Sequence, residues 1–381
     1  MKIRLLDYSK DVNPPVDTEL LRYLDLTTLV NELKLGMEND YTVFEEQIPL
    51  SGLFDILDRE QPKYCAINIS ILYPLHNDVV KEISKKYPQI FFIFFYNETF
   101  YYNSHTPTKT NRNFVCISSG IKNYDGLETD TYFSYYILNT FIQHKYNRFL
   151  DYLYKSTKTL KRQKKYLFYN GSHKPYRLKI YDLMIKNNLL DEGFFSYMGF
   201  AIEDTKKLQL FLDFFNMTDG EFNDYLRRFK IPYLCDSYEL TQNIFYPFVN
   251  PPQYAFQSYV NITSETTYFP DNDWVSTSEK SFKSFLSFNI PLFFGQRKLQ
   301  TYLKDLGFDL FDDLFDTSEV SDGTEMFQQF ESNLKVIKNM EHRDLHEFYV
   351  QSELRLLHNF QNVINLSKQS LEKIRKKCLE F

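Results

Sequence analysis

Residues 257–316 read QSYVNITSETTYFPDNDWVSTSEKSFKSFLSFNIPLFFGQRKLQTYLKDLGFDLFDDLFD, and this stretch decides the fold. Residues 257–263 alternate in a β-prone pattern. Residues 264–277 form a polar loop with Pro270, Asp271, Asp273 and Trp274. From 276 to 288 the apolar positions Phe282, Phe285 and Leu286 fall on one helical stripe. Asn289 breaks that helix. Residues 290–294 (IPLFF) read as a short buried strand ended by Gly295, and 296–306 as a second helix closed by Gly307 in the C′ place. Strand, loop, helix, strand, helix is the rhythm of a parallel α/β sheet. Such sheets bind ligands outside the carboxyl ends of their strands, where helices begin.

A helix start offers free backbone N–H groups and partial positive charge, so it receives phosphate well. Here it carries Ser276, Thr277, Ser278, Glu279, Lys280 and Lys283. Hydroxyls and ammonium groups suit a diphosphate, and a carboxylate suits sugar hydroxyls because it only accepts hydrogen bonds when ionised. The same residues have a purely structural reading. Ser276 with Glu279 fits the S-x-x-E capping box, and Glu279 with Lys283 is an i,i+4 ion pair.

The run Ser278-Glu279-Lys280, Phe282-Lys283, Pro291-Leu292, Gly295, Leu303 and Leu306-Gly307-Phe308 resembles the donor-side motif of glycosyltransferases of large DNA viruses, tailed phages and bacteria. It is similar to the T-E-K segment of fucosyltransferase-type enzymes. A second stretch, Tyr169-Asn170-Gly171-Ser172-His173-Lys174-Pro175-Tyr176-Arg177, resembles the strand-end element that opens their donor domain. The likeness spans residues 165–311, under half of the chain. It implies an α/β fold of two Rossmann-like domains facing across a cleft, GT-B-like, with a C-terminal helical tail. The implied domains are 1–155 on the acceptor side, 156–340 on the donor side, and helices at 341–381 packing back on the first.

Composition frames that reading. The chain has 381 residues, room for two domains. At 43% hydrophobic and 25% charged it reads as globular. Aromatic content is 18%, as an AT-rich genome would encode. Cys65, Cys116, Cys235 and Cys378 are scattered without a CxxC, which suits a reducing compartment. The start, MKIRLLDYSKDVNPP, lacks the apolar length of a signal peptide, and no apolar run is long enough to span a bilayer. A cytoplasmic protein away from membranes, monomer or weak dimer, is expected. The net charge of −6 argues against a generally basic nucleic-acid surface, although lysines and arginines crowd residues 155–186.

Outward from the central stretch, residues 2–6 read as a strand and 19–34 as a helix. A helix near 53–59 is followed by a strand at 64–70, a helix capped by Asn77, and an apolar strand at 90–96. Together these form a βαβ crossover. A strand at 114–119 and a helix at 131–143 follow, then a basic interdomain linker at 155–165. The second half opens with a strand at 166–169, a helix at 176–186, a turn at 191–193 and a strand at 194–197. Residues 207–215 (KLQLFLDFF) fit helix or strand. Helices are expected at 327–340 and, as one long tail, at 344–377.

Glycosyl transfer needs cations or N–H dipoles on the leaving diphosphate, and an inverting enzyme also needs a base. The cation candidates are Lys280, then Arg177, then Lys283. Glu279 would hold donor hydroxyls by analogy with the motif it resembles. Asn170, Ser172, His173, Thr263, Thr277 and Ser278 complete the donor-binding set. Glu98, after the 90–96 strand, is the first candidate base and Asp125 the second. The donor is expected to be a nucleotide-diphosphate sugar, a UDP-sugar, with no metal and no further cofactor. His342 and His346 lack an HExxH frame, and Asp271-Asn272-Asp273 reads as a solvated turn. The acceptor is expected to be a hydroxymethylated base in double-stranded viral DNA, such as 5-hydroxymethylcytosine, or else a glycan or protein. The rival readings are a non-catalytic binding protein with a degenerate transferase fold, and a nucleic-acid-binding module that stacks bases on aromatics.

Overall fold

A computed structural model describes residues 41–43, 50–69, 77–96, 113–118, 129–130, 147–170, 173–197, 205–233, 252–265, 268, 275 and 277–381. The fold is α/β with parallel sheets. Two compact units divide the chain. The first gathers Met1–Asn147, Trp274–Glu279 and Val363–Phe381; the second gathers Arg148–Asp273 and Lys280–Asn362.

The first unit holds β1 (Tyr41–Val43), helix α1 (Leu50–Glu60), β2 (Tyr64–Ile69), helix α2 (Asn77–Lys86), β3 (Phe91–Tyr96), β4 (Phe114–Ser118) and β5 (Thr129–Asp130). Its sheet runs β1-β2-β3-β4-β5, every neighbour parallel. The βαβ crossover expected from sequence is thus present, and α2 takes in Asn77 itself. Asn113 is buried and its amide donates to the carbonyls of Ser84 (3.0 Å), Tyr87 (3.1 Å) and Ile90 (2.9 Å), fixing the turn between α2 and β3. Tyr64 Oη donates to the Cys378 carbonyl at 2.9 Å, and Phe91 meets Phe381 with ring centroids 5.4 Å apart. The expected strand at 2–6 and helices at 19–34 and 131–143 lie outside the described residues.

The second unit opens with helix α3 (Asn147–Thr157), whose first residue groups with the first unit, and continues through β6 (Lys164–Asn170), helix α4 (Pro175–Lys186), a 3-10 turn at Leu190–Glu192 and β7 (Gly193–Tyr197). Helices α5 (Thr205–Phe215), α6 (Asp219–Leu226) and α7 (Pro252–Ala255) precede β8 (Ser258–Ser264). Helix α8 (Glu279–Leu286), β9 (Ile290–Phe294) and helices α9 (Leu299–Asp305), α10 (Gly323–Asn339), α11 (His342–Gln351) and α12 (Glu353–Glu380) follow. Residues 363–381 of α12 and its end group with the first unit.

The second sheet has the order β7-β6-β8-β9, again all parallel. All seven residues of β8 are buried, so the alternation expected for 257–263 does not become a wet face. β8 lies between β6 and β9, and a central strand of a parallel sheet has both faces covered. Phe282, Phe285 and Leu286 of α8 are buried as the helical spacing predicts, with Phe285 stacked on Phe308 at 4.1 Å. Each such side chain contributes about 1.5–3 kcal/mol. Gly307 has φ +85°, the left-handed conformation that a C′ glycine supplies.

Three sequence expectations need correction. The stretch 155–165 is not a bare linker, because Lys155 lies in α3 and Lys164 and Lys165 open β6. Three of its six cations are in ion pairs: Lys155 with Asp151 at 2.6 Å, Lys158 with Glu353, and Lys165 with Glu192 at 3.2 Å. The tail at 344–377 is two helices. Ser352 ends α11, and its carbonyl accepts the N–H of Leu356 to begin α12. The helices expected at 276–288 and 296–306 are shorter, at Glu279–Leu286 and Leu299–Asp305.

The amino edge of the second sheet is locked by Arg162, which is 3% exposed. Its Nη1 donates to the carbonyls of Ala255 (2.9 Å) and Ser258, its Nη2 to Tyr349 Oη, and its guanidinium lies 4.1 Å from the Tyr349 ring centroid. Asn289 Nδ2 donates to the same two carbonyls at 2.8 and 2.7 Å.

Candidate functional site

The order β7-β6-β8-β9 contains one reversal. The chain leaves β6 for β7 on one flank, then returns past β6 to β8 on the other. The carboxyl ends of β6 and β8 thus form a topological switch point, the crevice where open parallel sheets bind ligands. Both strands end in polar residues at this edge: β6 in Asn170, β8 in Thr263 and Ser264, followed by Glu265. All four are buried.

Those side chains and the helices that start nearby knit together. Ser264 Oγ donates to Asn170 Oδ1 at 2.7 Å, joining the two strand ends. The first turn of α4 clamps β8: Tyr176 Oη donates to the Glu265 carbonyl at 2.6 Å, and Arg177 Nη2 to the Ser264 and Glu265 carbonyls at 3.2 and 3.1 Å. Glu265 N donates to the Phe294 carbonyl at 2.8 Å, tying β8 to the end of β9. The Glu265 carboxylate accepts the Ser281 hydroxyl from the first turn of α8. Thr263 Oγ1 lies 3.5 Å from the Lys280 carbonyl. The backbone is close here. A Cβ on Gly295 would lie 2.6 Å from Leu299 Cδ2 and 3.2 Å from Glu265 Cβ.

His173 sits between β6 and α4, half-buried. Its Nδ1 is 2.5 Å from Tyr197 Oη at the end of β7, and its ring stacks on Phe211 of α5 with centroids 4.5 Å apart. Burial pushes its pKa down to about 4, and burial pushes the Tyr197 phenol up. Near neutral pH this is an uncharged pair.

Arg177 differs in setting from a cation open to solvent. It is 2% exposed and bonded to strand-end carbonyls. Thr263 faces α8 through the Lys280 backbone. Lys280 and Lys283 are half-buried on α8. Thr277 is buried and Ser278 half-buried just before that helix, in the segment that groups with the first unit; Glu279 is the first residue of α8. Ser172, Glu98, Asp125 and the Asp271–Asp273 turn lie outside the described residues. His346 Nδ1 pairs with Tyr259 Oη at 3.1 Å, and no group of three or more potential ligands among the described residues is placed to hold a metal ion.

No known family profile matches this sequence, and no curated protein matches it.

Sequence reasoning missed Glu265, Tyr176, Ser281 and Tyr197. The polar run that begins at Ser264 marks the strand end, and Glu265 was legible there as its first acid. Tyr197 carried no local signal, because it meets His173 across 24 positions. Chemically, the edge offers hydrogen-bond donors beside two helix starts and one buried carboxylate.

Proposed function

We propose that this chain is a glycosyltransferase of the GT-B kind, with two Rossmann-like halves. It moves a sugar from a nucleotide-diphosphate sugar, a UDP-sugar, to an acceptor hydroxyl. One observation carries the reading. The two motifs that resemble glycosyltransferase donor elements meet at a single strand end, where Arg177 bonds the Ser264 carbonyl from 87 positions away and Lys280 abuts Thr263. That strand end is at the switch point, where a dinucleotide or nucleotide is received in such sheets.

In this reading Lys280 supplies positive charge to the leaving diphosphate, with Ser278, Thr277 and Lys283 around the start of α8. Asn170, Ser172 and His173 line the other side of the donor. Arg177 holds the strand end in place from inside the fold and lends its charge from there. Glu279 takes donor hydroxyls. Glu98, with Asp125 as the second candidate, takes the acceptor proton, and the reaction as read needs no metal ion. The first unit would meet the acceptor, a hydroxymethylated base in double-stranded DNA or a glycan. No helix among the described residues is long and apolar enough to cross a membrane.

A thermal-shift screen with UDP-, GDP-, ADP- and CMP-sugars tests the reading, because a ligand stabilises the fold that binds it. UDP-sugars should raise the melting temperature in the wild type and not in Lys280→Ala. Nucleotide binding without sugar transfer or hydrolysis would mark a degenerate, non-catalytic transferase fold. No shift with any nucleotide would remove the donor site.

A further inference from the structure

Three hydrogen-bond donors belong to the short stretch between the end of β6 and the start of α4. Asn170 is 1% exposed, and its Nδ2 has no hydrogen-bond partner among the described residues. The amide orientation follows from its neighbour. Ser264 Oγ finds its acceptor in Asn170 Oδ1, and turning the amide would strand the hydroxyl hydrogen. Burying an N–H without a partner is costly, so such a group calls for something that meets it. Just beyond, α4 starts at Pro175 with no side-chain cap from Lys174 and no acid in its first turn. Its amino end favours an anion.

His173 lies in sequence between these two features. Tyr197 is wholly buried, and its hydroxyl meets His173 Nδ1 at 2.5 Å. That nitrogen is the one acceptor for the Tyr197 hydrogen among the described residues, so the phenol donates and the imidazole accepts at Nδ1. A neutral imidazole that accepts at Nδ1 carries its proton on Nε2. The stack on Phe211 at 4.5 Å holds the ring plane.

We propose that Tyr197 fixes the Nε2–H tautomer of His173, and that this N–H, Asn170 Nδ2 and the amino end of α4 together bind a phosphate group of the nucleotide-diphosphate donor. The inference rests on the donor-site reading and extends it: it names Nε2–H as the atom by which His173 meets the donor, and it makes Tyr197 a positioning residue. A neutral donor steadies the charge that gathers on the leaving diphosphate while keeping its own proton.

The test uses the full chain with 15N-labelled histidine. Ring-nitrogen shifts at pH 7 should show His173 as the Nε2–H form in the wild type and as a mixture in Tyr197→Phe. Calorimetry with inorganic pyrophosphate and with UDP should show affinity lower by about 3- to 10-fold in Tyr197→Phe and about 10-fold in His173→Gln. An Nδ1–H form in the wild type, which needs no variant to fold, overturns the proposal. So does unchanged affinity in both variants. If Lys280→Ala weakens UDP while the His173 and Tyr197 variants do not, the donor site stands and this subsite falls. Pyrophosphate binding that depends on His173 and Tyr197 but not on Lys280 keeps the subsite and removes the role given to Lys280.

Discussion

Replacing Arg177 by methionine separates a strand-holding guanidinium from one that serves only a ligand. Methionine keeps an unbranched apolar stem and removes the donors. Arg177 Nη2 makes two bonds, to the carbonyls of Ser264 and Glu265. Bonds from a charged donor contribute about 1.5–3 kcal/mol each, about 3–6 kcal/mol together. The Glu265 carbonyl keeps the Tyr176 hydroxyl at 2.6 Å, so the Ser264 carbonyl bears most of the loss. Relief of a buried charge offsets part of it. The net cost is about 3 kcal/mol, roughly a hundredfold in the folding equilibrium. With a denaturant slope of about 2 kcal/mol per molar, the urea midpoint falls by about 1.5 M. Circular dichroism follows the transition, and amide exchange at 258–265 should rise selectively because β8 loses its clamp. A midpoint within about 0.3 M of the wild type, with exchange at β8 unchanged, would show that Arg177 does not hold the strand end.

Three further outcomes follow from the same geometry. Gly295→Ala drives a methyl against Leu299 and Glu265, so it should cost about 1–3 kcal/mol of stability and weaken UDP binding in calorimetry. His173 has a folded pKa of about 4 against an ordinary 6.5, so the unfolded chain takes up that proton first. Urea midpoints should therefore fall as pH drops from 6.5 toward 4, and less steeply in His173→Gln. Arg355 forks between Asp309 (2.6 and 2.8 Å) and Asp313 (2.8 and 2.9 Å). Burial pushes the Asp309 carboxyl up, but the Arg355 hydrogen bonds and the Phe311 N–H outweigh it; in Asp313 the Arg355 bond leads, and both are held below the usual range. Their contribution is present at neutral pH and is lost as pH falls through those depressed values. Arg355→Gln should cost about 1 kcal/mol at pH 7 and flatten the acid limb of the urea-midpoint profile.

The parallel α/β character of the second unit was legible because its strands are short apolar runs punctuated by Asn, Gly and Pro. Residues 290–294 show it best: Asn289 and Gly295 bracket IPLFF, and the strand has those bounds. Residues 207–215 were not legible, since Leu208, Leu210 and Leu212 alternate like a strand while Leu208, Phe211, Leu212 and Phe215 step like a helix. Packing decides for helix: Phe211 is buried and Leu210 is 62% exposed. The break at Ser352 was hidden because no glycine or proline marks it. At the site, local motifs pointed to Asn170, His173 and Lys280. The burial of Arg177 and the Tyr197–His173 pair arise from long-range packing, which spacing in one sequence does not encode.

Amide exchange with and without saturating UDP bears most directly on where a nucleotide is gripped. Slowed exchange confined to residues 168–178 and 262–283 is the predicted footprint, since those segments carry the ends of β6 and β8 and the starts of α4 and α8. A footprint at the amino edge around Arg162, or none on the second sheet, would contradict the account.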